Sequence, residues 1–227
     1  MKIFIGYDNR EDEAYKACKN SLLQNSVKVK SNNIIPLNLL VLQGNNWYFR
    51  QSEYPDEVKA TDFAFSRFLV PFLNGYEGWA VFCDCDFIFT RDVQGVFDLA
   101  DDKYAVMCVQ HNYTCKDTVK MDNQKQIPFP RKNWSSMMLF NCSHPDCKML
   151  NPHSVSTKSA AWLHQMQWTS DDNIGSLPIE WNWLVGEYNK NSLNGQTPAV
   201  LHYTLGCPFM EGYENCDFAD EYYKYAK

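Results

Sequence analysis

The sequence predicts an α/β fold with a mainly parallel central sheet flanked by helices, and three observations predict it. Apolar runs that suit strands alternate with helical patterns through the first half of the chain. The polar residues capable of chemistry stand at the ends of those runs, where ligands sit in open parallel sheets. Of 227 residues, 45% are hydrophobic and 21% charged, a balance that supports a packed core and is too poor in charge for a disordered chain.

Lys2 to Ile5 reads as the first strand and ends at Gly6-Tyr7-Asp8-Asn9. A helix follows from Glu11 to about Gln24, with Glu11, Asp12 and Glu13 in a first turn whose dipole favours negative charge. Ile34 to Leu42 reads as the second strand. Thr61 to Leu73 carries Phe65, Phe68, Leu69 and Phe72 at helical spacing, the pattern of an amphipathic helix lying on a sheet. Trp79 to Phe89 is a third strand region, interrupted by two aspartates. Tyr104 to Val109, Trp134 to Phe140 and Ala199 to Thr204 are further strands, and Ser156 to Gln167 is helical. No internal repeat, heptad run or low-complexity linker divides the chain.

The net charge of −6 argues against a nucleic-acid binder, which presents a basic face to the phosphates. It leaves room for a phosphorylated ligand whose charge a metal offsets. No stretch approaches the ~18 apolar residues that a membrane span needs, and the run from Met1 to Ile5 is too short for a signal peptide. The expected compartment is therefore the cytoplasm. Nine cysteines, an odd number without regular spacing, fit reduced and mostly buried thiols. Sequons at Asn112-Tyr113-Thr114, Asn133-Trp134-Ser135 and Asn141-Cys142-Ser143 carry little weight without a secretory signal.

The most informative segment is Val81-Phe82-Cys83-Asp84-Cys85-Asp86-Phe87-Ile88-Phe89. Two carboxylates inside an apolar run need an explanation, because an unpaired buried charge is strongly disfavoured. Spaced by two in an extended chain they project to one side, with Cys85 on the other. Their Cα atoms would stand about 6.6 Å apart in a regular strand at ~3.3 Å per residue. Both then reach one cation, or one binds it directly while the other acts through water or a ribose hydroxyl. The competing reading is a strand-end turn in which each aspartate caps a backbone N–H. A zinc site on Cys83 and Cys85 lacks the usual ligand spacing and a second Cys/His pair.

Ser66-Arg67-Phe68-Leu69-Val70-Pro71, followed by Asp84-x-Asp86, resembles a stretch of the GT-A-fold glycosyltransferases, specifically family 8, which includes glycogenin, galactinol synthase and bacterial lipopolysaccharide galactosyltransferases. Three downstream segments extend the resemblance in the family's order. Ser136-Met137-Met138-Leu139-Phe140-Asn141 resembles the Asn-Ala-Gly strand. Ser170-Asp171-Asp172-Asn173 resembles the acceptor-side loop. Leu201-His202-Tyr203-Thr204-Leu205-Gly206-Cys207-Pro208 resembles the histidine segment near the C-terminus.

The resemblance implies a single GT-A domain over residues 1–227, with a nucleotide-binding part at about 1–110 and an acceptor-side part at about 111–227. It implies transfer of a hexose from a nucleotide sugar, UDP-glucose or UDP-galactose, to a carbohydrate, lipid-linked or protein acceptor, with retention of configuration. Asp84, Asp86 and His202 would hold the divalent metal that bridges the donor diphosphate. One imidazole beside two carboxylates shifts preference from Mg²⁺ toward Mn²⁺. Gly6, Tyr7 and Asp8 would line the base and ribose pocket, with Arg67 beneath the nucleotide or beside the sugar. Cys85, Ser135, Ser136 and Gly206 complete the implied donor site, and Asp171 and Asp172 are the implied catalytic pair. Burial of Arg67 against Asp84 or Asp8, and a helix N-cap at Ser170-Asp171-Asp172, are the structural alternatives.

The pattern also departs from the family. Pro208 stands where a diphosphate-binding lysine is expected, so Arg131 or Lys132, after a loop marked by Pro128 and Pro130, is the candidate replacement cation. The Asn-Ala-Gly triplet is Trp134-Ser135-Ser136, and Asp172 occupies a glutamine position. Two other classes of function compete. A sugar-phosphate nucleotidylyltransferase would need a glycine-rich loop after the first strand, which Gly6-Tyr7-Asp8-Asn9 does not supply. A non-catalytic nucleotide-sugar or carbohydrate-binding protein would use Trp162, Trp168, Trp181 and Trp183 as stacking faces, though tryptophans at such spacing also fill cores. The tail Tyr222-Tyr223-Lys224-Tyr225 either docks on the body or touches an acceptor or a membrane.

Overall fold

A computed structural model of the chain describes residues 1–50, 61–112, 119–120, 124–125 and 130–226, with the backbone alone at 119–120 and 124–125. Eleven strands occur among the described residues: β1 (Lys2–Tyr7), β2 (Ile34–Asn38), β3 (Trp79–Cys83), β4 (Phe87–Phe89), β5 (Val106–Cys108), β6 (Val119–Lys120), β7 (Gln124–Lys125), β8 (Met137–Asn141), β9 (Ile174–Ser176), β10 (Trp183–Leu184) and β11 (Val200–His202). The main sheet has the order β2-β1-β3-β8-β5-β9. Its neighbours pair in parallel except around β8, which runs against both β3 and β5. A smaller sheet sets β11 between a parallel β10 and an antiparallel β4, and β6 pairs with β7.

This is the expected α/β architecture, and burial explains the strand sequences. Ile3, Phe4 and Ile5 of β1, and Ala80 to Cys83 of β3, are buried on both faces, as parallel strands covered by helices must be. Helix α1 (Asp12–Asn25) buries Ala14, Ala17, Cys18 and Leu22, one helical stripe, against β1 and β4. Glu11 is the residue that precedes it, and Asp12 and Glu13 fill its first turn. At the far end of the chain, Tyr222 is fully buried, and Asn20 and Asn25 of α1 donate to the carbonyl and hydroxyl of Tyr225 at 3.0 and 2.8 Å. The tyrosine-rich tail docks on the body.

Several elements differ from the sequence expectation, each for a local reason. The second strand stops at Asn38, whose side chain accepts from the N–H groups of Leu40 and Val41 and so starts α2 (Leu39–Gly44). The helix expected over Thr61 to Leu73 is a turn, a 3-10 segment (Ser66–Leu69) and one α-turn, α3 (Val70–Leu73). Pro71 has no N–H to donate, so an α-helix can only begin around it. Trp134–Ser136 is a 3-10 turn ahead of β8 rather than strand. After α4 (Gln94–Phe97), the helix expected from Ser156 to Gln167 is split into α5 (Pro152–Thr157) and α6 (Ala160–His164). Lys158 turns extended, and Ser159 caps the second piece through Trp162 N–H. Helix α7 (Ala219–Tyr223) closes the order. Trp79 to Phe89 is two strands in two sheets, and the turn between them carries both aspartates.

Candidate metal centre

The chain leaves the main sheet at Cys83 and enters the small sheet at Phe87, so Asp84, Cys85 and Asp86 form the corner between two sheets. The Cα spacing of a regular strand therefore does not apply to the pair. Asp84 N–H donates to Ser136 C=O at 2.9 Å, which ties the corner to the segment before β8. Asp86 C=O accepts from Tyr203 N–H at 2.9 Å, which ties its other end to the residue after β11. The side chains of Asp84 and Asp86 stay 17% and 12% exposed, enough to meet a ligand from solvent.

His202 is the last residue of β11 and pairs in register with Phe87, the residue after the corner. Their rings stack at 4.3 Å, and His202 is buried. Nε2 lies 3.4 Å from Asp86 Oδ2. One ligand atom each from Asp84, Asp86 and His202 lies within 4.8 Å of the others, a metal-competent cluster among the described residues. With ligand bonds of ~2.0–2.6 Å, opposite ligands of one ion stand about 4–5 Å apart, so the residues fit a divalent cation. Two hard carboxylates and one imidazole, with no thiolate, suit Mn²⁺ or Mg²⁺ chemistry better than a structural zinc. The eight described cysteines are all free, and seven are buried.

The other expected site residues divide into those gathered at this corner and those outside it. Arg67 is buried and pairs with Asp84 Oδ1 at 2.8 Å, the structural alternative raised by the sequence, and also donates to Ser135 C=O at 2.9 Å. Ser135 Oγ meets His164 Nδ1 at 2.8 Å. Ser136 Oγ donates to Asn133 C=O at 2.7 Å. Cys85 is buried on the opposite side of the corner, its thiol donating to Glu11 Oε2 at 2.9 Å. Gly6 lies where a Cβ would fall 2.4 Å from the Phe63 ring, so only glycine lets β1 and that ring approach. Tyr7 donates to Asp12 at 3.2 Å. Asp8 accepts from Arg10 Nε and Nη2 and from the N–H groups of Arg10 and Asp62. Burial raises the Asp8 pKa, but these donors outweigh it and hold the carboxyl at about 2. Gly206 packs where a Cβ would meet Tyr213 at 2.6 Å.

Asp171 and Asp172 lie in an exposed 3-10 turn, and Ser170 makes no side-chain cap there. Asp171, 82% exposed, pairs with Arg131 Nη2 at 2.6 Å, while Arg131 Nη1 donates to Gln165 C=O at 2.7 Å. Lys132 is half-buried beside it. Pro128, together with Tyr113 and Thr114 of the first sequon, lies outside the described residues. Trp168, Trp181 and Trp183 are buried in the core, which removes them as open stacking faces.

No family model matches the sequence. Over 222 residues the chain is 46% identical to Protein CDI of Arabidopsis thaliana, covering 97% of this chain and 83% of that protein. The chain belongs to the Protein CDI family. Among solved structures, WbbM, a bifunctional glycosyltransferase, matches 100% of this chain with a TM-score of 0.60 at 14% identity. The chain spans 49% of the length of WbbM. The galactosyltransferase LgtC, solved with donor and acceptor sugar analogs, matches 100% of this chain and 95% of its own at a TM-score of 0.59 and 10% identity. The fold of this CDI-family chain is thus the GT-A fold expected from its sequence.

Within that fold, three features of the site were not legible as such. Glu11, expected only as a first-turn acid, is buried behind the corner. Burial pushes its carboxyl up to about 7; the Cys85 thiol pulls the other way, and the nearby Asp86, Asp8 and Asp84 add to the rise. Burial pushes the His111 and His164 imidazoles down to about 3; His202 adds to this at His111, and Arg67 and Arg50 at His164. Asn182, fully buried between Trp181 and Trp183, sets its side-chain amide 2.9 Å from His202 Nδ1. Its signal was present as an amide inside an aromatic run, where a buried polar group demands partners.

Proposed function

We propose that this chain is a metal-dependent glycosyltransferase that moves a hexose from a UDP-sugar, UDP-glucose or UDP-galactose, to a carbohydrate, lipid-linked or protein acceptor with retention of configuration. The observation that carries the reading is the Asp84-Asp86-His202 cluster, set at the corner between two sheets in the fold shared with LgtC. Asp84, Asp86 and His202 would hold the cation, with Mn²⁺ favoured by the imidazole. When bound, it supplies Lewis-acid stabilisation of the charge that develops on the leaving diphosphate.

The chain's own residues supply orientation. Arg67 pairs with Asp84 and donates to Ser135 C=O, and so braces the corner against the segment before β8. Ser135 and Ser136, fixed by His164 and by Asn133 C=O, are buried beside the corner and would help set the donor site. Gly6, Tyr7 and Asp8 at the end of β1 would adjoin base and ribose, within a nucleotide-binding part of about residues 1–110. Asp171 and Asp172 would act on the acceptor side, in the part from about 111 to 227. A binding-only reading draws on one observation: Asp171 is exposed and already paired with Arg131.

Turnover separates the two. Slow UDP release from UDP-glucose or UDP-galactose is expected in Mn²⁺ without added acceptor. Asp86→Asn, nearly the same shape, should lower it on the order of 10²–10⁴-fold, the several kcal/mol that a bound metal contributes to such a transition state. Tight donor binding with no release by the parent would favour the binding-only reading instead.

A further inference from the structure

We infer that Asn182 is a positioning residue that holds His202 as its Nδ1–H tautomer, leaving the Nε2 lone pair facing Asp86. The consequence for a cation rests on the metal-centre reading above, but the tautomer follows from the hydrogen-bond chain itself. That chain starts at a backbone carbonyl, a group that can only accept. Asn133 C=O lies 2.7 Å from Ser136 Oγ, so the Ser136 hydroxyl proton points at Asn133. Ser136 Oγ must then accept from its other partner, the Asn182 amide at 2.9 Å. The amide atom facing Ser136 is therefore the NH₂, and the atom facing His202 is the oxygen. An amide oxygen only accepts, so in the neutral ring His202 Nδ1, 2.9 Å away, carries the proton.

The opposite amide orientation would turn the Ser136 proton onto Asn182 and leave two oxygens 2.7 Å apart at Asn133 with no hydrogen between them. His202 Nε2 lies 3.4 Å from Asp86 Oδ2, longer than the ~2.7–2.9 Å of a charge-assisted N–H···O bond. The separation instead suits two neighbouring ligands of one ion, about 3 Å apart at bond lengths of ~2.1 Å. Asn182 is fully buried and Ser136 is buried, so water does not compete for these bonds. Phe87, stacked on the imidazole, keeps the ring plane fixed. Partners of this kind orient a ligating histidine and typically change metal affinity by ~10–100-fold.

The test uses the full-length, EDTA-treated protein labelled with ¹⁵N, read by long-range ¹H–¹⁵N correlation, with the His202 signals assigned by their loss in His202→Ala. The parent should show a protonated Nδ1 and an unprotonated Nε2. Asn182→Leu, which keeps the volume and removes the acceptor, should give a tautomer mixture and weaken Mn²⁺ binding by ~10–100-fold in calorimetry. Asn182→Asp, which keeps an acceptor, should retain Nδ1–H and bind Mn²⁺ within a few-fold of the parent. If Asn182→Leu does not fold, Ser136→Ala serves, because it frees the amide to turn without emptying the core; it should also give a mixture. A protonated Nε2 in the parent, or an unchanged tautomer in both variants, would overturn the assignment. A parent with the expected tautomer and no affinity for Mn²⁺ would support the assignment while removing the metal-centre reading.

Discussion

Two arginine–aspartate pairs flank the proposed chemistry, Arg67–Asp84 at 2.8 Å and Arg131–Asp171 at 2.6 Å. By distance alone the second is the better bond. By environment they differ at the acid: the Arg67 and Asp84 side chains are 8% and 17% exposed, whereas Arg131 and Asp171 are 20% and 82% exposed. Water screens the second pair, and exposed pairs contribute ~0–1 kcal/mol. The first pair stands among Phe82, Phe63 and the core strands, where each charge depends on the other. Burial, rather than contact distance, separates a corner held within the core from a turn that lies in solvent.

The largest expected effect follows from removing Arg67. Arg67→Met leaves Asp84 with its charge and without its partner, and should cost about 3 kcal/mol of stability, the lower end for a broken buried pair. Chemical denaturation in EDTA measures it. Mn²⁺ should then restore more stability to the variant than it adds to the parent, because a cation at Asp84 replaces the lost charge. Equal Mn²⁺ effects on both proteins would detach Asp84 from the metal.

Glu11 gives the next effect. Its carboxyl, about 4.5 when unfolded, stands at about 7 in the folded metal-free protein. The folded state therefore holds that proton more tightly, so the contribution is full below pH 4.5 and is lost as pH rises through 7. The slope reaches about 1.4 kcal/mol per pH unit within that window. His111 and His164, lowered to about 3 in the folded state, slope the opposite way from about pH 3 to 6.5. Glu11 is therefore read as the difference between parent and Glu11→Gln, with the variant gaining on the parent from pH 4.5 to 7 in EDTA melts. A constant difference across that range would place Glu11 in water, not behind the corner.

The smallest effect belongs to the exposed pair. Asp171→Asn, which leaves the Arg131 bond to Gln165 C=O in place, should change stability by less than about 1 kcal/mol, the range of surface ion pairs. If Arg131 also meets the donor diphosphate, Arg131→Ala weakens donor binding by a margin that shrinks as salt is raised. Stability loss comparable to that of Arg67→Met would erase the contrast between the two regions.

The sequence already singled out Asp84 and Asp86, because two carboxylates in an apolar run need partners, and the family resemblance joined His202 to them. It also foresaw the parallel core, since Ile3 to Ile5 and Ala80 to Cys83 are apolar on both faces. What it did not disclose depends on contacts between distant segments. The corner's turn needs β4 to leave for β11, a pairing across more than a hundred residues. Glu11 looked like an ordinary helix-start acid, and only the packing of α1 behind Cys85 buries it. Asn182 was hidden between tryptophans that drew the reading toward stacking. Short helices were overextended for a simpler reason: Pro71, Ser159 and Asn38 stop or restart them locally, against a hydrophobic period that continues.

The central claim is that the corner binds a nucleotide sugar through a metal, and a calorimetric titration tests it most directly. UDP-glucose and UDP-galactose are titrated into the full-length chain, first in EDTA and then in Mn²⁺. Measurable affinity that appears only with Mn²⁺, and that Asp86→Asn abolishes, is the predicted result. The same affinity in EDTA and in Mn²⁺ would contradict it.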